Sequence, residues 1–181
     1  MKIDAKVRTL GPVNITELRA AVLSLPAEAW VEDTLRQDAF ADVHMGTRSI
    51  IMLFIDLSVW PSIRVSKRKG WDYFSRQSQP LIEGIVAGHY KPGGIVIRAM
   101  IANLIAGANI VPHKDTDPSF AVGHRIHVPL VTNAEVDFSV GGEVFHLEEG
   151  IAYELNNLEQ HGVRNRSKVD RLHLIFDYVE R

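Results

Sequence analysis

Short apolar runs separated by turn-forming residues occupy the chain from Gly94 to its end, and this pattern restricts the fold more than any other feature. Gly141-Gly142 lies between two alternating runs and predicts a β-hairpin, because glycine supplies the positive φ angles of tight hairpin turns. Glu148-Glu149-Gly150 predicts another turn. We predict strands in this half at Ile95–Ile101, Arg125–Val131, Val136–Val140, Glu143–Leu147, Ile151–Glu154 and Leu172–Val179. Many short strands joined by tight turns are typical of an antiparallel sandwich or barrel.

The first half of the chain begins with a helical pattern instead. Leu18 and Val22 recur at helical spacing. Asn14 with Glu17 resembles a capping box at a helix N-terminus. Pro26 is expected to end this helix, because proline lacks the amide hydrogen that a helix interior needs. Further helices are predicted at Trp30–Phe40 and Gln79–Tyr90.

The segment between these helices carries strand signals. The pattern predicts a buried strand at Ile50–Leu57, a weaker strand at Ser62–Val65 and a charged loop at Ser66–Trp71. We therefore predict one mainly β domain over residues 1–181, with helices and strands at about 1–93 and a β core at about 94–181. The helices are expected to cover one face of one sheet, while a second sheet supplies an open-mouthed pocket.

The composition excludes several classes of function. The 181 residues are 46% hydrophobic and 23% charged, which is typical of a soluble globular domain. The net charge of −2 provides no basic field for a phosphate backbone, so nucleic acid is not an expected partner. The chain contains no cysteine, which excludes disulfides and thiolate metal sites.

The sequence shows neither a targeting signal nor a membrane segment. Its N-terminus lacks the apolar run of a signal peptide. The apolar stretch around Ile50 to Leu57 is far shorter than the ~20 residues of a spanning helix. We expect a cytoplasmic protein that does not bind membranes and whose partner is a small-molecule or peptide substrate. The sequence leaves the oligomeric state open.

The segment from Val111 to Asp117 carries the most informative residues. His113 and Asp115 are two positions apart, and side chains at i and i+2 of a strand point to the same side. His161 follows Asp115 by 46 residues and lies between two strand-like runs, where a strand of a second sheet can return it to the same place. Two imidazoles and a carboxylate form the facial triad of non-haem Fe(II) oxygenases, which leaves coordination positions open for substrates.

Three further side chains indicate a dicarboxylate ligand beside the metal. Arg171 begins an apolar strand, so its guanidinium is expected to be partly buried and to require an anionic partner. A carboxylate that accepts two parallel hydrogen bonds is the natural partner of arginine. Arg125 and His127 lie two apart on another predicted strand and are candidates to point into the same pocket. The combination is that of a metal site that binds a chelating dicarboxylate.

The order of these motifs resembles the aspartyl/asparaginyl β-hydroxylase family over roughly the C-terminal half of the chain. The resemblance implies a double-stranded β-helix, a cupin-like jelly roll that is backed here by helices. It also implies a requirement for Fe(II), for 2-oxoglutarate as co-substrate and for O2. By this resemblance His113 and His161 ligate the iron. Arg171 binds the distal carboxylate of 2-oxoglutarate, and Arg125 and His127 assist it.

Asp115 indicates which branch of the family this chain resembles. The animal peptidyl hydroxylase has Gly at this position, so this chain looks more like the bacterial branch, which keeps the full triad of His113, Asp115 and His161 and includes free-proline hydroxylases. The resemblance implies hydroxylation of an unactivated C–H bond with release of succinate and CO2. A free amino acid, a peptidyl Asp or Asn and another small metabolite remain open as substrates. Candidate substrate contacts are Arg64, Trp71, Arg76 and Lys114.

Other interpretations of the same residues remain open. A cupin-type metal enzyme that does not use 2-oxoglutarate needs the same ligands. A non-catalytic ligand-binding or regulatory module on the same scaffold is the other alternative, and a metal analysis of the purified protein separates it from the two enzymes. Asp117 is in frame with Asp115, but its position after the strand favours a turn-capping role. The remaining histidines are expected to be ordinary hydrogen-bonded residues: His44, His89, His124, His146 and His173.

Overall fold

A computed structural model describes residues 3–32 and 46–181 of the chain. These ranges contain eleven β-strands, three α-helices and two short 3₁₀ helices. The strands are β1 (Val7–Pro12), β2 (Thr47–Ile55), β3 (Val65–Lys67), β4 (Ile95–Leu104), β5 (Asn109–His113), β6 (His124–Val131), β7 (Val136–Val140), β8 (Glu143–Phe145), β9 (Ile151–Leu155), β10 (His161–Asn165) and β11 (Arg171–Val179). The helices are α1 (Thr16–Leu23), α2 (Gly70–His89) and α3 (Pro118–Val122), with 3₁₀ turns at Ala27–Val31 and Leu57–Val59.

The strands form two antiparallel sheets. The larger sheet has seven strands in the order β1-β9-β6-β11-β4-β2-β3, and the smaller has four in the order β5-β10-β7-β8. Consecutive strands repeatedly alternate between the two sheets, as in a jelly roll. The predicted mainly β fold, a double-stranded β-helix backed by helices, is therefore confirmed.

The predicted hairpin joins β7 to β8 in the smaller sheet. Gly141 and Gly142 form its turn with φ angles of 54° and 79°. Positive φ at both central residues is the geometry of the tight hairpin turn, and only glycine adopts it without a steric penalty. The six strands predicted after Gly94 are all present, and none of their ends differs from the prediction by more than three residues.

Parts of the N-terminal half differ from the prediction. The charged loop expected at Ser66–Trp71 is wrong, because it contains the end of β3 and the start of α2. Helix α2 begins nine residues earlier than predicted. Its first half was not predicted, because the interior Pro80 disfavours a continuous helix. Most of the helix predicted at Trp30–Phe40 lies outside the described residues, as does His44.

Strand β11 runs through the centre of the larger sheet and is buried on both faces. Its even-numbered residues, from Leu172 to Tyr178, belong to the core formed with α1 and α2. Its odd-numbered residues lie on the opposite face, because side chains alternate along a strand. That face is turned toward the smaller sheet and carries Arg171, His173, Ile175 and Asp177. The polar interior of the jelly roll is therefore built from the side of β11 that the helices do not cover.

Candidate metal centre and its pocket

The two candidate histidine ligands lie on neighbouring strands of the smaller sheet. His113 ends β5 and His161 begins β10, and the two are direct cross-strand partners with ring centroids 4.4 Å apart. Gly162 permits this close approach, because a Cβ there would lie 2.9 Å from the carbonyl oxygen of Ile110. The strand pairing thus brings together two imidazoles that are 48 residues apart in sequence.

Asp115 completes the cluster, although it does not lie on a strand. β5 ends at His113, so the same-face rule for strands does not place Asp115. The amide of Asp115 donates instead to the carbonyl of Asn157 at 3.3 Å. One donor atom from each of His113, Asp115 and His161 can be chosen so that all three lie within 4.8 Å of one another. The structure therefore brings the predicted triad together.

The main chain sets the orientation of both imidazoles. Nδ1 of His113 lies 2.9 Å from the carbonyl oxygen of Val111, and Nδ1 of His161 lies 3.0 Å from that of Glu159. A carbonyl oxygen only accepts, so each Nδ1 donates and each Nε2 keeps its lone pair. The Nε2 atoms lie 3.8 Å (His113) and 4.0 Å (His161) from the Asp115 carboxylate. Nε2 is therefore the atom that each ring presents to a metal.

The electrostatics keep Asp115 and His161 in the protonation states that metal ligation requires. Burial acts to raise the pKa of Asp115, but Arg125, His161 and the hydrogen bond from Asn157 outweigh it, so the pKa lies below its ordinary value. Burial is the main cause that lowers the pKa of His161. Metal ligation requires an ionised carboxylate and neutral imidazoles. Both shifts favour those protonation states near neutral pH.

The triad opens into a cavity of about 420 Å³ between the two sheets. Arg171 lines this cavity from β11 and is only 1% exposed, and His127 lines it from β6. Nδ1 of His127 lies 3.3 Å from Nδ1 of the buried His173. The structure thus places Arg171 and His127 in the same cavity as the triad, as the sequence predicted.

Arg125 also lines the cavity, but its guanidinium is engaged by two carboxylates. Nε and Nη2 donate to the two oxygens of Asp177 at 2.8 and 2.9 Å. Nη1 donates to Oδ2 of Asp115 at 2.6 Å. The assisting role inferred for Arg125 in binding 2-oxoglutarate stays a prediction, while its contact with Asp115 is a structural fact.

A buried charge network lies next to the triad and was not predicted from the sequence. Arg98 of β4 is 3% exposed and donates to Asp177 at 3.3 Å and to Ser119 at 2.8 Å. The ring centroid of Phe120 lies 4.4 Å from the guanidinium carbons of both Arg98 and Arg125. The only available signal was a charged residue inside an apolar strand, since buried arginine and aspartate require partners.

Several other predicted residues have clear positions. Asp117 caps α3 as predicted, because its carboxylate accepts the amide of Ser119 at 2.8 Å. Among the four candidate substrate contacts, Lys114 lines the cavity of the triad. Trp71 packs instead on the helix side of the larger sheet, with the ammonium of Lys67 4.4 Å from its ring centroid.

Fold and site together define a class of protein, a double-stranded β-helix with a two-histidine, one-carboxylate centre open to an internal pocket. A family model described as aspartyl/asparaginyl beta-hydroxylase matches residues 37–181. The chain therefore belongs to the aspartyl/asparaginyl β-hydroxylase family, as its motifs predicted. No curated protein matches the chain in sequence.

Solved structures with the same fold are distant in sequence. A 2OG-Fe(II) oxygenase family oxidoreductase from Burkholderia pseudomallei is 14% identical, with a TM-score of 0.57 and coverage of 92% of this chain and 90% of that one. A Pseudomonas putida prolyl-4-hydroxylase is 15% identical, with a TM-score of 0.55 over 98% and 94%. A viral collagen prolyl hydroxylase from Paramecium Bursaria Chlorella virus-1, solved with 2OG, is 8% identical, with a TM-score of 0.56 over 98% of both chains. At these identities the likeness shows the fold alone.

None of the helices in the described ranges combines the length and the apolar character that crossing a bilayer requires.

Proposed function

We propose that this protein is an Fe(II)- and 2-oxoglutarate-dependent dioxygenase that hydroxylates an unactivated C–H bond. The observation that carries the proposal is the position of the triad, whose donor atoms lie within 4.8 Å of one another at the wall of a pocket that also contains the buried Arg171. When bound, Fe(II) and 2-oxoglutarate supply the oxidising chemistry, in which O2 and 2-oxoglutarate convert C–H to C–OH and leave succinate and CO2.

The donor set fits a ferrous ion. His113 and His161 each offer an Nε2 lone pair, and Asp115 offers a carboxylate oxygen. Two imidazoles and a carboxylate on one side of an ion leave its other positions facing the pocket, as dioxygen chemistry requires. In a closed structural site, protein ligands would fill those positions.

Arg171 is the residue best placed to bind the distal carboxylate of 2-oxoglutarate. Its guanidinium is 1% exposed, so water screens its charge poorly. Its planar fork matches a carboxylate with two parallel hydrogen bonds. His127 lies on the neighbouring strand and lines the same cavity, where it is placed to donate a further hydrogen bond. Burial of these donors orients the co-substrate and excludes water from it.

We infer that the substrate is a small molecule or a peptide segment. It would enter where exposed Leu57 and Lys114 line the cavity. A free amino acid, a peptidyl Asp or Asn and a related small metabolite are the substrate classes to test. A panel of these compounds, assayed for stimulated succinate formation, identifies the class directly.

His113→Ala tests the proposed function. With Fe(II) and 2-oxoglutarate in the absence of air, the wild type is expected to show the weak visible charge-transfer band of the chelate, and with air it forms succinate. The variant is expected to lose both, because one of three ligands is absent. His146→Ala is the matched control, since that exposed histidine lies outside the cavity lining.

Two outcomes would contradict the proposal. Full 2-oxoglutarate decarboxylation by His113→Ala would show that the triad does not hold the metal. Normal iron binding by the wild type without the charge-transfer band would favour a cupin-type enzyme that does not use 2-oxoglutarate.

A further inference from the structure

The Asp115 carboxylate is held from the side by two hydrogen-bond donors. Nδ2 of Asn157 donates to Oδ2 at 2.9 Å, and Nη1 of Arg125 donates to the same oxygen at 2.6 Å. Both carboxylate oxygens remain close to the histidines, because Oδ1 lies 3.8 Å from Nε2 of His113 and Oδ2 lies 4.0 Å from Nε2 of His161. A rotation of the carboxylate would break both bonds.

Asn157 also fixes the main chain that carries Asp115. Its carbonyl accepts the amide of Asp115 at 3.3 Å, so one residue contacts both the backbone and the side chain of this ligand. Asn157 is 1% exposed. Because Asp115 lies beyond the end of β5, no strand ladder holds it, and the contact with Asn157 takes that place.

The connection that contains Asn157 leads directly into β10 and its histidine. The amide of Glu159 donates to the carbonyl of Asn156 at 3.1 Å, which closes a turn within the connection. The carbonyl of Glu159 then accepts the Nδ1 proton of His161. One short segment, residues 156–161, therefore orients two of the three candidate ligands.

We propose that Asn157 is a positioning residue that sets the geometry of the metal centre through Asp115. This inference rests on the proposed function, because it assumes that the triad binds a divalent metal. Partners that orient metal ligands influence affinity strongly, and their removal typically costs about 10- to 100-fold in metal affinity. Arg125 alone does not replace Asn157, because it holds only the side chain of Asp115.

Asn157→Leu tests the proposal, because leucine keeps the shape of asparagine and removes the donor. We expect the variant to bind Mn(II) and Co(II) about 10- to 100-fold more weakly than the wild type in calorimetric titration. The visible absorption bands of the Co(II) protein should also shift, since they report the ligand geometry at the ion. A purely structural role would change the unfolding of the metal-free protein without changing those bands.

Asn156→Ala is the matched control. It alters the neighbouring asparagine, whose side chain accepts the amide of Leu158 at 3.3 Å within the same turn. We expect this variant to keep the wild-type Co(II) spectrum and affinity. If Asn157→Leu does not fold, Asn157→Ser provides the same comparison with a smaller side chain of shorter reach.

The outcomes separate this inference from the proposed function. Wild-type affinity and spectrum in a folded Asn157 variant would overturn the positioning role and leave the metal site intact. A wild type that takes up neither Mn(II) nor Co(II) would overturn the proposed function and this inference together. Weaker metal binding and shifted Co(II) bands in the Asn157 variant, but not in Asn156→Ala, would support both the proposed function and the positioning role of Asn157.

Discussion

At the scale of single residues, His173 shows how strongly the interior of the jelly roll acts on a titratable group. Its side chain is 1% exposed and lies beside Arg171 and His127. Burial, followed by the electrostatic effects of Arg171 and then His127, holds the pKa of His173 well below its ordinary value. The imidazole is therefore neutral at physiological pH and does not repel the guanidinium that we assign to 2-oxoglutarate.

This depressed pKa predicts a pH-dependent stability. In the unfolded chain His173 binds a proton below about pH 6.5, whereas in the folded protein it does not. Its stabilising contribution is complete above that pH and is lost as the pH falls toward the lower folded pKa. The free energy of unfolding of the wild type should therefore fall between pH 7 and pH 5. In His173→Leu it should fall less steeply, by up to about 1.4 kcal/mol per pH unit.

Urea unfolding of the metal-free protein at several pH values measures this difference. His161 has a lowered pKa as well, but it is present in both proteins and cancels in the comparison. His146→Ala, at an exposed position, should follow the wild type. Parallel pH profiles for the wild type and His173→Leu would show that His173 titrates normally in the folded state.

At the scale of elements, one carboxylate links three adjacent strands of the larger sheet. Asp177 of β11 is 2% exposed and binds Arg98 of β4 and Arg125 of β6. Asp117 lies 3.6 Å from Arg98, and Asp115 binds Arg125 at the other end. Charges thus alternate along a largely buried row that ends at the candidate metal centre. The row connects the pairing of the strands in the larger sheet to the position of Asp115.

Asp177→Asn should destabilise the fold markedly. The substitution leaves two buried guanidinium groups with a neutral neighbour, and breaking a buried ion pair typically costs about 3–5 kcal/mol. Asp137→Asn is the control, because Asp137 pairs with Arg166 near the surface, where an ion pair contributes about 0–1 kcal/mol. Urea unfolding of both variants measures the two effects, and equal losses would contradict the assigned role of Asp177.

At the scale of the whole molecule, the candidate site spans both sheets. The two candidate histidine ligands come from β5 and β10 of the smaller sheet, whereas Arg171 and His127 come from β11 and β6 of the larger one. A metal ion alone would contact the side of the smaller sheet. A co-substrate that reaches from the metal to Arg171 would tie the two sheets together.

Ligand-dependent thermal stability tests this arrangement. Mn(II), used in place of Fe(II), should raise the Tm of the wild type, and 2-oxoglutarate should raise it further. A ligand present at 100 times its Kd adds about 2.7 kcal/mol to the free energy of unfolding. Arg171→Met should keep the increase in Tm that Mn(II) causes and lose the further increase that 2-oxoglutarate causes. Methionine retains the bulk of the side chain but has no charge to bind a carboxylate.

Arg64→Met is the control for this experiment, since Arg64 is an exposed arginine that lies 3.5 Å from Asp56 and outside the cavity lining. In this variant, Mn(II) and 2-oxoglutarate should raise the Tm as much as in the wild type. If 2-oxoglutarate raised the Tm of Arg171→Met as much as that of the wild type, Arg171 would not be the residue that binds the distal carboxylate.

Local sequence patterns predicted much of this molecule. Alternation and turn glycines identified the strands from β6 to β9 and the β7–β8 hairpin, because those signals lie within a few residues of one another. Strand β1 was missed, since it is a partly exposed edge strand whose alternation is broken by a bulge between Thr9 and Gly11. The first half of α2 was missed because Pro80 opposes helix propensity, while tertiary packing of its buried face overrides that preference.

By itself, the sequence determined the residue types and their order along the chain: two histidines, an aspartate and an arginine, set among strands that would pair. Only the tertiary structure determined the orientation of the Asp115 carboxylate and the groups that donate hydrogen bonds to it. Asn157 lies 42 positions from Asp115, and Asp177 lies 52 positions from Arg125. Contacts over such separations depend on which strands pair and in which register, and no local period of the chain encodes that.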